Sequence, residues 1–242
     1  APGKARAAER GRLVRRLPLW LLPGALWVGY AAGAHLFTLT AIRRGPRGAH
    51  RVALTFDDGP DPVHTPKVLD LLGDAGVRAT FFVVGERAAR APDLVREMVA
   101  RGHEVENHTW SHSNLWWCGP RRTERELARA HEAIAELTGR PPRFFRPPWG
   151  MVNLAVFPTL RRLGTPCVLW SLQPEGLRPV APQEMASRVL RGIGPGAIVD
   201  LHDAEGVRGA PGRLLEALPP MLEGLSAAGY ACVPLGELLS PA

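Results

Sequence analysis

From residue 51 onward, short apolar runs alternate with amphipathic stretches, and this rhythm constrains the fold more than any other feature of the chain. RVALTFDD (51–58), ATFFVVG (79–85), EVENHT (104–109), FFRPP (144–148), CVLWSL (167–172), AIVDLHD (197–203) and YACVPL (230–235) have strand character. Helical spacing is expected over 65–75, 92–100, 121–138, 153–163, 182–191 and 212–227. Strands that take turns with helices argue for an α/β fold with a parallel sheet, open or closed into a barrel. A chain of 242 residues is long enough to bury the core of such a unit as one domain.

The polar residues fall at the ends of the runs. Asp57 and Asp58 close the first, His108 and His112 follow the third in HTWSH, Arg146 sits at the fourth in RPPWG, and His202 ends the sixth in LHD. Groups at the carboxyl ends of parallel strands converge on one rim, so residues far apart in sequence would share a pocket. Two adjacent aspartates repel each other unless a cation lies between them and solvent. Two imidazoles and one carboxylate form a set that suits a divalent metal with open positions. The H-x-x-x-H spacing would put both rings on one side of a helical turn. One aspartate would then ligate the metal and the other take a proton from metal-activated water. Taken singly, DDGP is equally well a turn cap and the histidines surface residues; the order of the whole set favours a site. Cys118, Cys167 and Cys232 are scattered without C-x-x-C spacing and supply no cysteine zinc signature.

TFDDGP, HTWSH, RPPWG and LHD resemble successive motifs of the NodB-type polysaccharide deacetylases, carbohydrate esterase family 4, over residues 51–239. The resemblance implies a distorted (β/α) barrel with fewer regular strands than a full (β/α)-barrel. It implies Asp57 as catalytic base, Arg146 as the arginine that holds it, and Asp58, His108 and His112 as metal ligands. The metal would be Zn2+, with Co2+ or Ni2+ as substitutes. It further implies His202 as general acid, the backbone N–H of Trp149 as an oxyanion donor, and Leu201 as an apolar wall near the acetyl methyl. The expected reaction removes N-acetyl groups from hexosamines of a cell-envelope polysaccharide of peptidoglycan or chitin type. Metal-bound water would attack the amide.

One motif departs from the family. WSLQPEGL (170–177) carries Gly176 and Leu177 where the family has Asp-Trp, and Glu175, Asp200 or Asp203 would have to supply the carboxylate. Two other readings follow: a deacylase of a lipid-linked sugar, or a glycan-binding protein with weak or lost activity.

Residues 17–42 contain no Asp, Glu, Lys or Arg, and as a helix would span roughly 39 Å, enough to cross a membrane. Lys4, Arg6, Arg10, Arg12, Arg15 and Arg16 precede them, and Arg43, Arg44 and Arg47 follow. The net charge of +7 is thus concentrated beside an apolar segment, which argues for a membrane surface and against a nucleic-acid groove. The expected organisation is a basic segment with a membrane anchor (1–42), a linker (43–50) and a NodB-like domain (51–242) held outside the cytoplasm. Ala32-Gly33-Ala34 also fits a signal-peptidase site, in which case residues 1–34 are removed and the domain is secreted. Burial of the segment as a helix of the fold is the third reading. The sequence implies no protein partner.

Overall fold

A computed structural model describes residues 22–48, 50–176, 178–206 and 208–240. The most apolar runs form its sheet: β1 (Arg51–Asp57), β2 (Thr80–Val83), β3 (Glu104–Asn107), β4 (Ile198–His202) and β5 (Ala231–Cys232). The order is β3-β2-β1-β4, every pairing is parallel, and β5 joins the start of β1. β1 and β2 are buried along nearly their whole length, as a strand covered on both faces requires.

Single bridges continue the sheet. Phe145 pairs with Asn107 of β3 and with Cys167, Ile42 pairs with Val168, and Leu172 pairs with Val199 of β4. This chain of pairings closes the sheet into an irregular barrel. The stretches 144–148 and 167–172, expected as strands, are therefore bridged segments. Pro147 and Pro148 have no N–H to extend a ladder beyond Phe145 and Arg146.

The helices are α1 (Leu22–Ala32), α2 (Thr65–Asp74), α3 (Gly85–Arg90), α4 (Pro92–Ala100), α5 (Pro120–Thr138), α6 (Val156–Leu163), α7 (Pro182–Gly192), α8 (Ala210–Ala227) and α9 (Leu235–Leu239). Pro92, Pro120 and Pro182 each stand at the first helical position, where a missing N–H costs nothing. The main core places Leu54 and Phe56 of β1 and Phe81 of β2 against apolar faces of α2, α4, α7 and α8. The Phe56 and Phe81 rings stack at 4.9 Å.

Of the apolar segment expected over 17–42, residues 17–21 lie outside the described residues. The rest is α1 followed by a 3-10 stretch, Gly33–Thr40. No helix among the described residues is long and apolar enough to cross a membrane. The segment packs on the barrel: Ala34 is buried with Leu115, Leu127 and Phe145, and Tyr30 donates to the Cys118 carbonyl at 3.4 Å. Its outer side leaves Leu26, Val28, Leu36 and Leu39 exposed. The stretch expected as a linker is bonded to the barrel at its start, where Gly45 N–H donates to the Gly196 carbonyl at 2.7 Å. All three cysteines are free.

Candidate active site

Asp57 is the last residue of β1 and lies in register with His202, the last residue of β4. At Asp58 the chain turns into the left-handed region, with φ 75°. The turn is fastened by Arg87, whose Nη1 donates to the Asp58 carbonyl at 2.7 Å, and by Val84 N–H, which donates to the Gly59 carbonyl at 2.9 Å. Position 59 must be glycine, because a Cβ there would overlap the Asp203 carboxylate.

His108 and His112 leave β3 on a loop, not on the expected helical turn. Thr109 and His112 have φ 69° and 55°, which no right-handed turn allows. Distant residues fix this path. Gly85 N–H and Glu86 N–H donate to the carbonyls of Thr109 and Trp110, and Glu126 of α5 accepts from Ser111 N–H at 2.8 Å. The two rings nevertheless meet, with centroids 5.2 Å apart. Among the described residues, the non-glycine positions with positive φ are Asp58, Thr109, His112 and Trp149, all at this site. Strain of this kind is held where function needs it.

Asp58 Oδ1 lies 2.8 Å from His112 Nε2 and 3.4 Å from His108 Nε2. One ligand atom from each of Asp58, His108 and His112 lies within 4.8 Å of the others. His108 Nδ1 is 2.8 Å from the Arg146 carbonyl, to which its N–H donates, and this leaves Nε2 with its lone pair toward Asp58. A Cβ at Gly206 would strike Asp58 Oδ2, so the glycine leaves the carboxylate room. The donor set, its fixed tautomer and this cradle fit a divalent metal. Burial would raise the Asp58 carboxyl, but when the two imidazoles are protonated their hydrogen bonds and charge prevail and hold it far below the usual carboxylate range; in the neutral rings the same Nε2 lone pairs are left for a metal.

Arg146 has no exposed surface. Its Nη1 donates to Asp57 Oδ1 and Thr55 Oγ1, each at 2.7 Å, and reaches Asp200 Oδ1 at 3.3 Å. Its guanidinium lies 4.1 Å from the centroid of the Phe82 ring. Gln173 donates to the other Asp200 oxygen at 2.8 Å. Burial, with the Asp57 charge nearby, pushes Asp200 up to about 7. His202 shares a strand face with Asp200, two residues away. Burial acts to lower the imidazole pKa, but the charges of Asp200, Asp58, Asp57 and Glu175 outweigh it and raise the value.

Asp57, Asp58, His108, His112, Asp200 and His202 line a cleft of about 630 Å3 with Asn114, Met151, Trp170, Gln173 and Arg208, and Arg146 lies beneath it. Trp149 forms one wall, its ring 4.5 Å from that of His112. Gly150 and Met151 N–H close the turn beneath it onto the carbonyls of Pro147 and Pro148, and the Trp149 N–H takes no part in those bonds. The structure thus brings together Asp57, Asp58, His108, His112, Arg146, Trp149 and His202. It does not bring in Leu201, whose side chain is buried in the main core on the strand face opposite Asp200 and His202. Gln173, Arg208 and Gly206 were not anticipated, and nothing in their local sequence marks them. Gly176 lines the cleft, and Leu177 lies outside the described residues. Of the three carboxylates considered for that region, Asp203 accepts from Thr65, Asp200 from Arg146 and Gln173, and Glu175 from Arg213.

An irregular α/β barrel with an Asp-His-His metal-binding group at the carboxyl ends of its strands defines a metal-dependent hydrolase. The chain belongs to the polysaccharide deacetylase family, carbohydrate esterase family 4, and is a polysaccharide N-deacetylase; the family model matches residues 44–168. It is 42% identical over 166 residues to a chitooligosaccharide deacetylase of Sinorhizobium fredii, covering 68% of this chain and 77% of that one. It is 36% identical over 196 residues to a peptidoglycan-N-acetylglucosamine deacetylase of Bacillus cereus, covering 80% and 90%. The fold superposes on the crystal structure of the Bc1960 peptidoglycan N-acetylglucosamine deacetylase with a TM-score of 0.78 at 30% identity, covering 87% and 97%.

Proposed function

We propose that the chain removes N-acetyl groups from N-acetylglucosamine units of a cell-envelope glycan of peptidoglycan or chitin type, with Zn2+ as its metal. The observation that carries this reading is the buried Asp57–Arg146 pair set beside the Asp58, His108 and His112 group. Asp58, His108 and His112 would hold the metal. When bound, it supplies the positive charge that makes water acidic and stabilises negative charge on the acetyl oxygen. Asp57 keeps Oδ2 free while Arg146 grips Oδ1, so this oxygen is placed to take the proton from the attacking water. The Trp149 N–H donates to the acetyl oxygen as charge builds there. His202, its pKa held up by surrounding carboxylates, carries the proton that the departing amine requires. Acetate and a free amino sugar result.

The exposed apolar residues of α1 and the 3-10 stretch, next to the basic N-terminal segment, support attachment to a membrane through residues 17–42 with the catalytic domain outside the cytoplasm. Substrate choice is tested by acetate release from chitooligosaccharides, peptidoglycan fragments and a lipid-linked N-acetylhexosamine. Release from either of the first two supports the reading. Release from the lipid-linked sugar alone assigns the chain to glycolipid deacylation. Tight glycan binding with no release from any of them makes it a binding protein.

A further inference from the structure

The charges of the cleft fall into two tiers. On its floor, Asp57 and Asp200 share Arg146, Gln173 also donates to Asp200, and Asp58 faces the two histidines. A divalent cation at Asp58 together with Arg146 offsets these three carboxylates, so the rim sets the sign of the field that a ligand meets. The rim carries Arg208, which is exposed and lines the cleft. Among the described residues it has no acid partner. Exposed arginines elsewhere on the barrel do find one: Arg78 pairs with Glu237, Arg101 with Asp70 and Arg162 with Glu124. A second exposed arginine without an acid partner among the described residues, Arg178, stands in the chain between Gly176 and Pro179, which line the same cleft.

One side chain braces the backbone behind both cations. Arg213 Nη1 donates to the Arg208 carbonyl at 2.8 Å, and its Nε donates to Glu175 Oε1 at 2.9 Å. Val180 N–H donates to the same oxygen at 2.9 Å, and Glu175 is 3% exposed. The segment around Arg208 and the segment from Glu175 to Val180 are thereby tied together. A guanidinium matches the two oxygens of a carboxylate or phosphate, whereas a neutral glycan offers hydroxyls and amides that need no cation. We propose that Arg208, aided by Arg178, binds an anionic group, a carboxylate or a phosphate, that the substrate carries next to the N-acetylhexosamine, and so favours an acidic glycan over a neutral one. This rests on the proposed deacetylation taking place in this cleft. A carboxylate would come from the lactyl ethers or peptides of peptidoglycan, and a phosphate from a lipid-linked sugar.

The test measures acetate release by zinc-loaded wild type, Arg208→Gln and Arg208→Lys from four substrates. These are chitotetraose, a tetrasaccharide of alternating N-acetylglucosamine and N-acetylmuramic acid, the methyl ester of that tetrasaccharide, and a polyprenyl diphosphate-linked N-acetylglucosamine. Arg208→Gln is expected to lose about 10-fold in kcat/KM, mainly through KM, on the carboxylated or the phosphorylated substrate. Its loss on chitotetraose and on the ester is expected to stay below about 2-fold, with zinc affinity as in wild type. Arg208→Lys keeps the charge and is expected to stay within about 3-fold of wild type. Added salt should raise the wild-type KM for the anionic substrate and leave that for chitotetraose in place. A selective loss on the tetrasaccharide identifies the anion as a glycan carboxylate, and one on the diphosphate-linked sugar identifies it as a phosphate; either supports the proposal. Equal losses on charged and neutral substrates, or no loss on any, would overturn it. A wild type that releases no acetate from any of the four counts against the proposed reaction, and calorimetric binding of the same compounds then decides the role of Arg208 by itself. Weaker binding of an anionic compound alone by Arg208→Gln supports the role, and unchanged binding overturns it.

Discussion

Arg146 Nη1 lies 2.7 Å from Asp57 Oδ1 and 3.3 Å from Asp200 Oδ1, so one guanidinium nitrogen joins Asp57, the proposed base, to a carboxylate on the strand that carries His202, the proposed acid. The same residue's carbonyl accepts from His108. Asp57, the strand of His202, and His108 are therefore positioned by a single side chain and its own backbone. Arg146→Lys keeps the charge and loses the planar fork. It is expected to reduce kcat by about 100-fold with KM little changed. Arg146→Met leaves two buried carboxylates without their cation and is expected to cost about 3–5 kcal/mol of stability in denaturant unfolding.

Metal affinity is expected to depend on a glycine that is not a ligand. A Cβ at position 206 would strike Asp58 Oδ2, whereas a Cβ at Gly176 meets nothing. Gly206→Ala is expected to weaken zinc binding about 10-fold or more in calorimetry, with Gly176→Ala at the wild-type value. Asp58→Asn, which removes a ligand charge, should weaken binding by more than about 100-fold. Equal affinities for the two glycine variants would show that the Asp58 carboxylate is not confined as described.

His103 provides a pH test of the fold away from the metal. Its Nδ1 accepts from Ala79 N–H at 3.1 Å, and burial, with the charges of Arg101 and Arg78, pushes the imidazole down to about 4. The unfolded chain takes up a proton near pH 6.5 and the folded chain does not. Above that pH the group contributes no pH dependence. Between about pH 6.5 and 4 the unfolded state binds more protons, so stability falls as pH falls. His103→Gln is expected to remove this part of the decline, seen as a smaller loss of unfolding free energy between pH 7 and 5 than in wild type.

Much of this arrangement was legible because the chemistry sits at the ends of apolar runs. Asp57, Asp58, Arg146 and His202 each follow a stretch that could only be buried, and the parallel topology brings them together. The conformation of residues 108–112 was not legible from spacing, because Glu126 and the start of α3 dictate it from other parts of the chain. The role assigned to Leu201 from its motif conflicts with strand alternation: Asp200 and His202 face the site, and the residue between them faces the core. The bridged segments around Phe145 and Cys167 carry strand composition, but Pro147 and Pro148 limit one of them to single pairings. Helices α3 and α9, of 6 and 5 residues, are too short for periodicity to reveal.

In the proposed reaction Asp57 takes a proton beside a metal held by Asp58, His108 and His112. Acetate release from N-acetylglucosamine oligomers, measured for zinc-loaded wild type, chelator-treated wild type and zinc-loaded Asp57→Asn, separates the two contributions. The expected result is release by the zinc-loaded wild type, its loss on chelation, and a fall of about 100-fold or more in Asp57→Asn while that variant still binds one zinc per chain. Wild-type rates from Asp57→Asn, or rates that survive complete removal of the metal, would show that the proton or the metal is not used in this way.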